Sequence, residues 1–485
     1  MRILSEPRRR MILDISADAL PNRAAATSRA PMPVPSQTLE ETAMSSIHNL
    51  APSRGTAGKY DHLVRADGLV HRSIYTDPQI FEAEMLKIFG GSWVYLAHES
   101  EIPNPHDFKT TTLGRRPVIV TRGGDGRLHA LLNRCTHRGS LVCATEQGNA
   151  KRFQCPYHNW TFANDGELLA VTFPEGFGPA FDRRAHDLGR LPRLESYRGF
   201  IFGSLNAEVE PVAEWLGNAR PTLDWAIDKD EALSRRWRVV KGTHYAFRAN
   251  WKHQNDNNCD PYHVPFLHAS AARMNQERHG AGKGLDHVKG DRNRMYVQYL
   301  GNGHKLFDQR PEMGASWPRT RPIPGKETHA AAILETCGET RGMAYLERVG
   351  RAGINLIIYP NLFIMGHGMF AVYEPVAVDR TNTRYYTTLF EDAPEEFNTL
   401  RIRFVEDFNN LAGRDDNDAM ERIQDALAVI PEMEWLDFSR GLGTDRESVD
   451  ASGVVTGNVM DDTGVRGSYQ RWKELMNRDV RLTVA

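Results

Sequence analysis

The sequence predicts an α+β protein: a small antiparallel β domain, then a larger domain in which an antiparallel sheet is flanked by helices. Three observations predict it. Between residues 93 and 205, short β-rich runs such as 117–121 (PVIVT) and 200–204 (FIFGS) alternate with turn signals such as 123–126 (GGDG). After about residue 206 the segments lengthen. Strand-like runs over 354–373 and 385–390 are followed by helical patterns over 395–411 and 417–430. The length, 485 residues, suits two or three domains, and 40 % hydrophobic with 25 % charged residues is ordinary globular usage.

Residues 1–55 are rich in Ala, Pro, Ser and Arg without periodicity and read as a disordered extension. A misplaced start is the other reading, since Met11, Met32 and Met44 follow. Residues 56–92 form a helical segment expected to pack on the larger domain. Its helix spans 77–89: Asp77 can cap it, Pro78 suits the first turn, and Ile80, Phe81, Met85, Leu86 and Ile88 supply an apolar face. Residues 93–205 are the small β domain and 206–485 the larger one. No internal repeat appears.

Lys plus Arg is 60 and Asp plus Glu is 62, a net charge of −2. That balance gives no case for nucleic acid. No apolar stretch reaches the length of a membrane span. The five cysteines (Cys135, Cys143, Cys155, Cys259 and Cys337) are too few and odd in number for a disulfide framework. They fit a reducing compartment, and the N-terminus lacks the apolar run of a secretory signal, so a cytoplasmic location is expected.

The strongest local signal is Cys135-Thr-His137 followed, after seventeen residues, by Cys155-Pro-Tyr-His158. Each half offers one thiolate and one imidazole. Two cysteines can hold one iron of a [2Fe–2S] cluster and two histidines the other; neutral imidazoles make the cluster less negative and raise its potential. Zinc is the structural alternative, but common zinc spacings keep cysteines in one pair and histidines in the other. Gly139 and Gly148 lie where tight loops need them. Cys143 is off ligand spacing and reads as a buried small side chain, and Trp160 is placed to shield the loop. The stretch 133–162 resembles the cluster-binding segment of the Rieske aromatic-ring-hydroxylating oxygenases, a motif that Rieske ferredoxins share.

A second constellation follows: Asn250-Trp-Lys-His, then Asn257, Asp260, Tyr262, His263 and His268. Two histidines five apart can converge on one metal if a helix bends between them, and Pro265 allows that bend. A carboxylate is then needed, and residues 414–421 (RDDNDAME) offer several. Two histidines and one carboxylate on one face of Fe(II) leave positions open for O2. Taken alone, each signal has a bland reading; Asp415 or Asp416 could simply cap a helix starting near Asn417.

In company, their order along residues 60–478 resembles the large subunits of naphthalene-type and benzoate-type dioxygenases. The resemblance implies a helix-grip-like catalytic domain and iron ligation by His263, His268 and Asp416, the second Asp of the string. It implies that Asp260 links His263 to His158 of a neighbouring subunit, carrying electrons across the interface of a homotrimer, with a small β subunit (α3β3) as a further option. It places Asn257 beside the iron. NADH supplies electrons through a reductase, with or without a ferredoxin, and the subunit hydroxylates an aromatic substrate, as a cis-dihydrodiol in the dioxygenases. Monohydroxylation or demethylation is the alternative within the family; a Rieske electron-transfer protein or a zinc-stabilised binding protein is the alternative outside it. Two departures stand out. Position 256 is Asp where Glu is common, and the stretch from Trp251 to Asp260 has the shorter, benzoate-type spacing. That spacing leans toward an aromatic carboxylate, for which Arg248, Arg348 or Arg351 could supply the cation.

Overall fold

The structure, a computed structural model, describes residues 58–228, 237–279, 295–311, 326–350, 353–366 and 368–485. The expected extension over 1–55, the Arg348 side chain and Arg351 lie outside what is described. The expected first helix is present as Pro78–Lys87, with Asp77 Oδ1 accepting from Gln79 N at 2.7 Å. Ile80, Phe81 and Met85 are buried as the spacing requires, whereas Leu86 turns outward at 43 % exposure. Its place inside is taken by Glu84, wholly buried because three donors meet its carboxylate. Trp251 Nε1 donates at 2.9 Å, Lys252 Nζ at 2.7 Å and Trp472 Nε1 at 2.6 Å.

The short β-rich runs form three small antiparallel sheets. One runs in the order Leu128–Leu132, Arg116–Arg122, Asp107–Leu113, Gln147–Asn149, and a second joins Arg152–Gln154, Thr161–Ala163 and Leu168–Ala170. Phe108, Ile119, Leu131, Phe153 and Phe162 fill the space between their strands together with Cys135, Cys143, Cys155 and Trp160. The third sheet puts Phe200–Ser204, buried at every position, between Arg193–Tyr197 and Val94–His98.

The rest is built on one nine-stranded antiparallel sheet. Its order is Trp237–Phe247, Arg380–Phe390, Met369–Ala377, Leu362–Met365, Ile354–Ile358, His304–Asp308, Tyr296–Gly301, Val455–Asn458, Ser448–Val449. The central strands are apolar nearly throughout, the signature of a sheet covered on both faces. Helices Lys326–Gly350, broken at Gly338, Glu395–Val429 and Thr463–Asn477 accompany it.

One expectation fails. The patterns over 395–411 and 417–430 are not two helices but one, Glu395–Val429, of 35 residues and so about 52 Å long. Asp415 and Asp416 therefore sit inside a helix and cap nothing. The physical reason is packing: Phe397, Leu400, Phe404, Val405 and Met420 are buried at helical spacing, and that contact outweighs the modest cost of Asp and Asn in a helix interior.

Candidate metal centres

The first centre is made by two matching turns. Cys135 N donates to Ser140 O at 2.8 Å, and Gly139, four residues after the cysteine, takes φ +78°. Cys155 N donates to Trp160 O at 2.8 Å, and Asn159, again four residues on, takes φ +56°. Gly and Asn are the residues that adopt this left-handed conformation at least cost. The turns bring both thiols inside, at 2 % and 1 % exposure, where burial pushes the Cys135 thiol up and Cys155 lies beside it. The His137 and His158 rings are 4.6 Å apart, and Trp160 stacks on His137 at 4.7 Å. His137 Nδ1 is buried without a hydrogen-bond partner, an orphan that metal ligation satisfies. Cys143 is buried apart from the set, with Sγ 3.5 Å from Thr145 O.

The second centre is tighter. The helix Trp251–Asn257 ends, the chain turns through Asp260, and His263 opens the short helix Val264–Leu267, which stops at His268. The two imidazoles thus leave the chain on either side of a single helical turn, with Pro265 inside it. His263 Nε2 is 3.4 Å and His268 Nε2 3.2 Å from one atom, Asp416 Oδ1. That oxygen is buried, yet neither ring makes an aligned hydrogen bond to it. The three atoms face a common centre instead of each other, which fits a metal ion.

Among the described residues, this is the one set of three or more His, Cys, Asp or Glu with donor atoms within 4.8 Å of one another. The Cys135, His137, Cys155, His158 set does not close that far, as the roughly 3.8 Å between ligands of a single tetrahedral zinc would require. Two irons joined by sulfide fit it better.

Carboxylates stand behind both imidazoles. His263 Nδ1 is 3.3 Å from Asp260 Oδ2, and His268 Nδ1 is 3.4 Å from Asp415 Oδ2. Burial opposes charge on His263, but Asp260 and Asp416 outweigh it and raise the ring to about 9. Burial likewise pushes the Asp416 carboxyl up, and the two imidazoles more than reverse it, holding it well below its usual range. The site is a field built for a cation.

No hydrogen bond among the described residues ties the Asn257 side chain to the triad. The Asn257 carbonyl accepts from Asp260 N. Asn258 lies inward instead, donating from Nδ2 to Tyr373 OH at 2.7 Å, and Cys259 beside it has its thiol pushed up to about 12 by burial. Asp256, the departure noted in the sequence, accepts from Tyr75 OH at 2.7 Å and Tyr469 OH at 2.8 Å. Sequence reasoning took Asp416 over Asp415 as the ligand and missed the place of Asp415 behind His268. The only signal was its adjacency to Asp416.

Comparison with known proteins covers both centres. Residues 92–179 match the Rieske [2Fe-2S] domain, and residues 234–478 match the ring hydroxylating alpha subunit (catalytic domain). The toluate 1,2-dioxygenase subunit alpha of Pseudomonas putida is 34 % identical over 84 % of this chain and 91 % of its own length. The anthranilate 1,2-dioxygenase large subunit of Acinetobacter baylyi is 34 % identical over 84 % and 89 %. A naphthalene 1,2-dioxygenase solved with indole in its active site superposes with a TM-score of 0.70 at 26 % identity, over 86 % of this chain and 94 % of that one. With both domains matched in this order and the relatives covered almost end to end, the chain belongs to the Rieske ring-hydroxylating oxygenases, as the alpha subunit of a dioxygenase that carries a [2Fe–2S] cluster and a mononuclear iron and takes electrons from NADH through a separate reductase.

Proposed function

We propose that this subunit cis-dihydroxylates an aromatic carboxylate, with His263, His268 and Asp416 holding the iron and Cys135, His137, Cys155 and His158 holding the cluster. The observation that carries the reading is the convergence of two Nε2 atoms and one carboxylate oxygen, a three-ligand set that on Fe(II) leaves coordination positions for O2. Relatives named for toluate, 2-halobenzoate and anthranilate support the acid. Iron bound there supplies the activation of O2. The chain's own part is positional. Asp260 and Asp415 each accept from an Nδ1–H, which leaves the Nε2 lone pair free to ligate and fixes both ring planes. The long helix delivers Asp416 and closes the site against the sheet.

Asp260 is also the residue assigned to the electron path, reaching His158 of a neighbouring subunit in a homotrimer, with or without a small β subunit. The division into 56–92, 93–205 and 206–485 and a cytoplasmic location belong to the same reading; no described helix is long and apolar enough to cross a membrane. Of the arginines considered for the acid, Arg248 is excluded by its surroundings. It is exposed and paired with Glu421 at 3.1 Å and Asp425 at 3.6 Å.

Anaerobic reduction, then O2 with a panel of aromatic acids and neutral arenes, tests the reading by mass spectrometry. A dihydroxylated acid is expected. A monohydroxylated or demethylated product would replace dihydroxylation, and a hydroxylated neutral arene alone would replace the acid.

A further inference from the structure

Between one face of the large sheet and the long helix lie buried polar atoms with no hydrogen-bond partner among the described residues, Thr383 Oγ1 on the sheet and both ends of Asn409 on the helix. Tyr245 lies opposite Thr383 across one pair of strands, and Thr383 lies opposite Tyr373 across the next, so the three side chains share a face. Tyr245 OH donates to Asn409 O at 3.3 Å, which sets that face against the helix Glu395–Val429. Thr383 is wholly buried, and its Oγ1 has no partner among the described residues. Asn409 is 1 % exposed and neither its Nδ2 nor its Oδ1 has one. Other buried asparagines use both ends: Asn133 between Cys143 O and the amides of Val142 and Cys143, Asn361 against both backbone groups of Tyr95. Asn409 is the described asparagine whose two ends are both buried and unpaired.

Its position says what the pairing group is. Asn409 precedes Asp416 by seven residues, which is about two turns, roughly 10 Å along the axis and on nearly the same side of the helix. It therefore faces the sheet on the same side as the metal ligand. The sheet face beneath the helix is aromatic: Tyr245 and Tyr385 have ring centroids 5.8 Å apart, and Tyr373 stands opposite Thr383 in register. An aromatic floor with a few unpaired polar groups is how small-molecule sites orient a ring.

We propose that Asn409, with Thr383, reads the polar edge of the substrate, and that this edge is a carboxylate with a hydrogen-bond donor on the adjacent ring carbon. Nδ2 and the Thr383 hydroxyl donate to the carboxylate, and Oδ1 accepts from the neighbouring amino or hydroxyl group. Unsubstituted benzoate leaves Oδ1 unpaired, and a neutral arene leaves all three atoms so, which buried polar sites penalise steeply. The inference rests on the aromatic-acid reading above and names its class of acid.

Equilibrium binding of 2-aminobenzoate, benzoate and naphthalene to the reduced, anaerobic holoenzyme tests it. Wild type is expected to bind 2-aminobenzoate tightest. Asn409→Leu, similar in size, should weaken 2-aminobenzoate at least tenfold, benzoate less, and naphthalene not at all, with iron and sulfide content and melting temperature undiminished. Thr383→Val should weaken both acids alike. Asn409→Asp keeps the shape but replaces the donor with an acceptor, so it should weaken both acids and spare naphthalene, even if the leucine variant does not fold. Equal losses for all three probes, or unchanged 2-aminobenzoate binding, would overturn the proposal. If wild type hydroxylates aromatic acids in single turnover while these variants bind them normally, this inference fails and the proposed function stands. If wild type hydroxylates no acid, the parent reading fails first.

Discussion

Asp415 and Asp416 are neighbours with different tasks. Consecutive side chains on a helix diverge by about 100°. Asp416 turns Oδ1 toward both Nε2 atoms, and Asp415 reaches the far side of His268. Losing a carboxylate behind a ligating imidazole lowers metal affinity about 10- to 100-fold. Asp415→Ala should therefore lose Fe(II) that much more readily in anaerobic chelator competition, with the cluster's visible spectrum unchanged; undiminished retention would remove Asp415 from that role. Asp260→Asn keeps an oxygen for His263 Nδ1, so both metals should remain. Coupled turnover should nevertheless collapse, because the charged bridge proposed for electron transfer is gone. Normal product yield per electron in that variant would remove Asp260 from the electron path.

At the scale of elements, the site depends on how the helix Pro78–Lys87 is tied to the helix Trp251–Asn257 that leads to the histidines. Glu84 and Lys252 are 2.7 Å apart, with side-chain exposures of 0 % and 3 %, and two tryptophan N–H groups complete the carboxylate. Glu84→Leu leaves an ammonium buried without its partner, a change that costs about 3–5 kcal/mol. Glu84→Leu with Lys252→Met removes both charges and should recover the part of the loss due to the stranded ammonium, while the two indole N–H groups stay unpaired. Unfolding free energies of the two variants measure this; a single variant as stable as wild type would show that Lys252 finds water.

For the whole molecule, buried neutral histidines set the acid limit. Burial lowers His98 to about 4, and His253 and His304 to about 3. Above pH 6.5 folded and unfolded chains both hold these rings neutral. Below it the unfolded chain takes up protons that the folded chain refuses, and each ring costs up to about 1.4 kcal/mol per pH unit until its folded value is reached. The melting temperature should fall steadily from pH 6.5 to 4. His304→Gln, which can still donate to Trp215 O, should flatten the fall; an unchanged slope would place the acid sensitivity elsewhere.

What the sequence determined by itself is the chemistry confined to short spans. A Cys-x-His and a Cys-x-x-His, each followed by a residue tolerant of left-handed backbone, and two histidines five apart are restrictive because residues a few positions apart are held within a few ångströms by the chain itself. The small β sheets and the first helix were legible for the same reason: their turn and cap signals are local. The tertiary structure decided relations between distant segments. Which of two adjacent aspartates faces the histidines is a matter of helix phase, fixed by the buried face of a 35-residue helix. Leu86 lost its expected place because Glu84 finds partners at Trp251, Lys252 and Trp472, far along the chain. Asn409 carries no motif; it becomes informative only once the sheet and helix enclose it and its two ends are left unpaired. Local spacing can specify which atoms are available, but burial and partnership are properties of the folded whole.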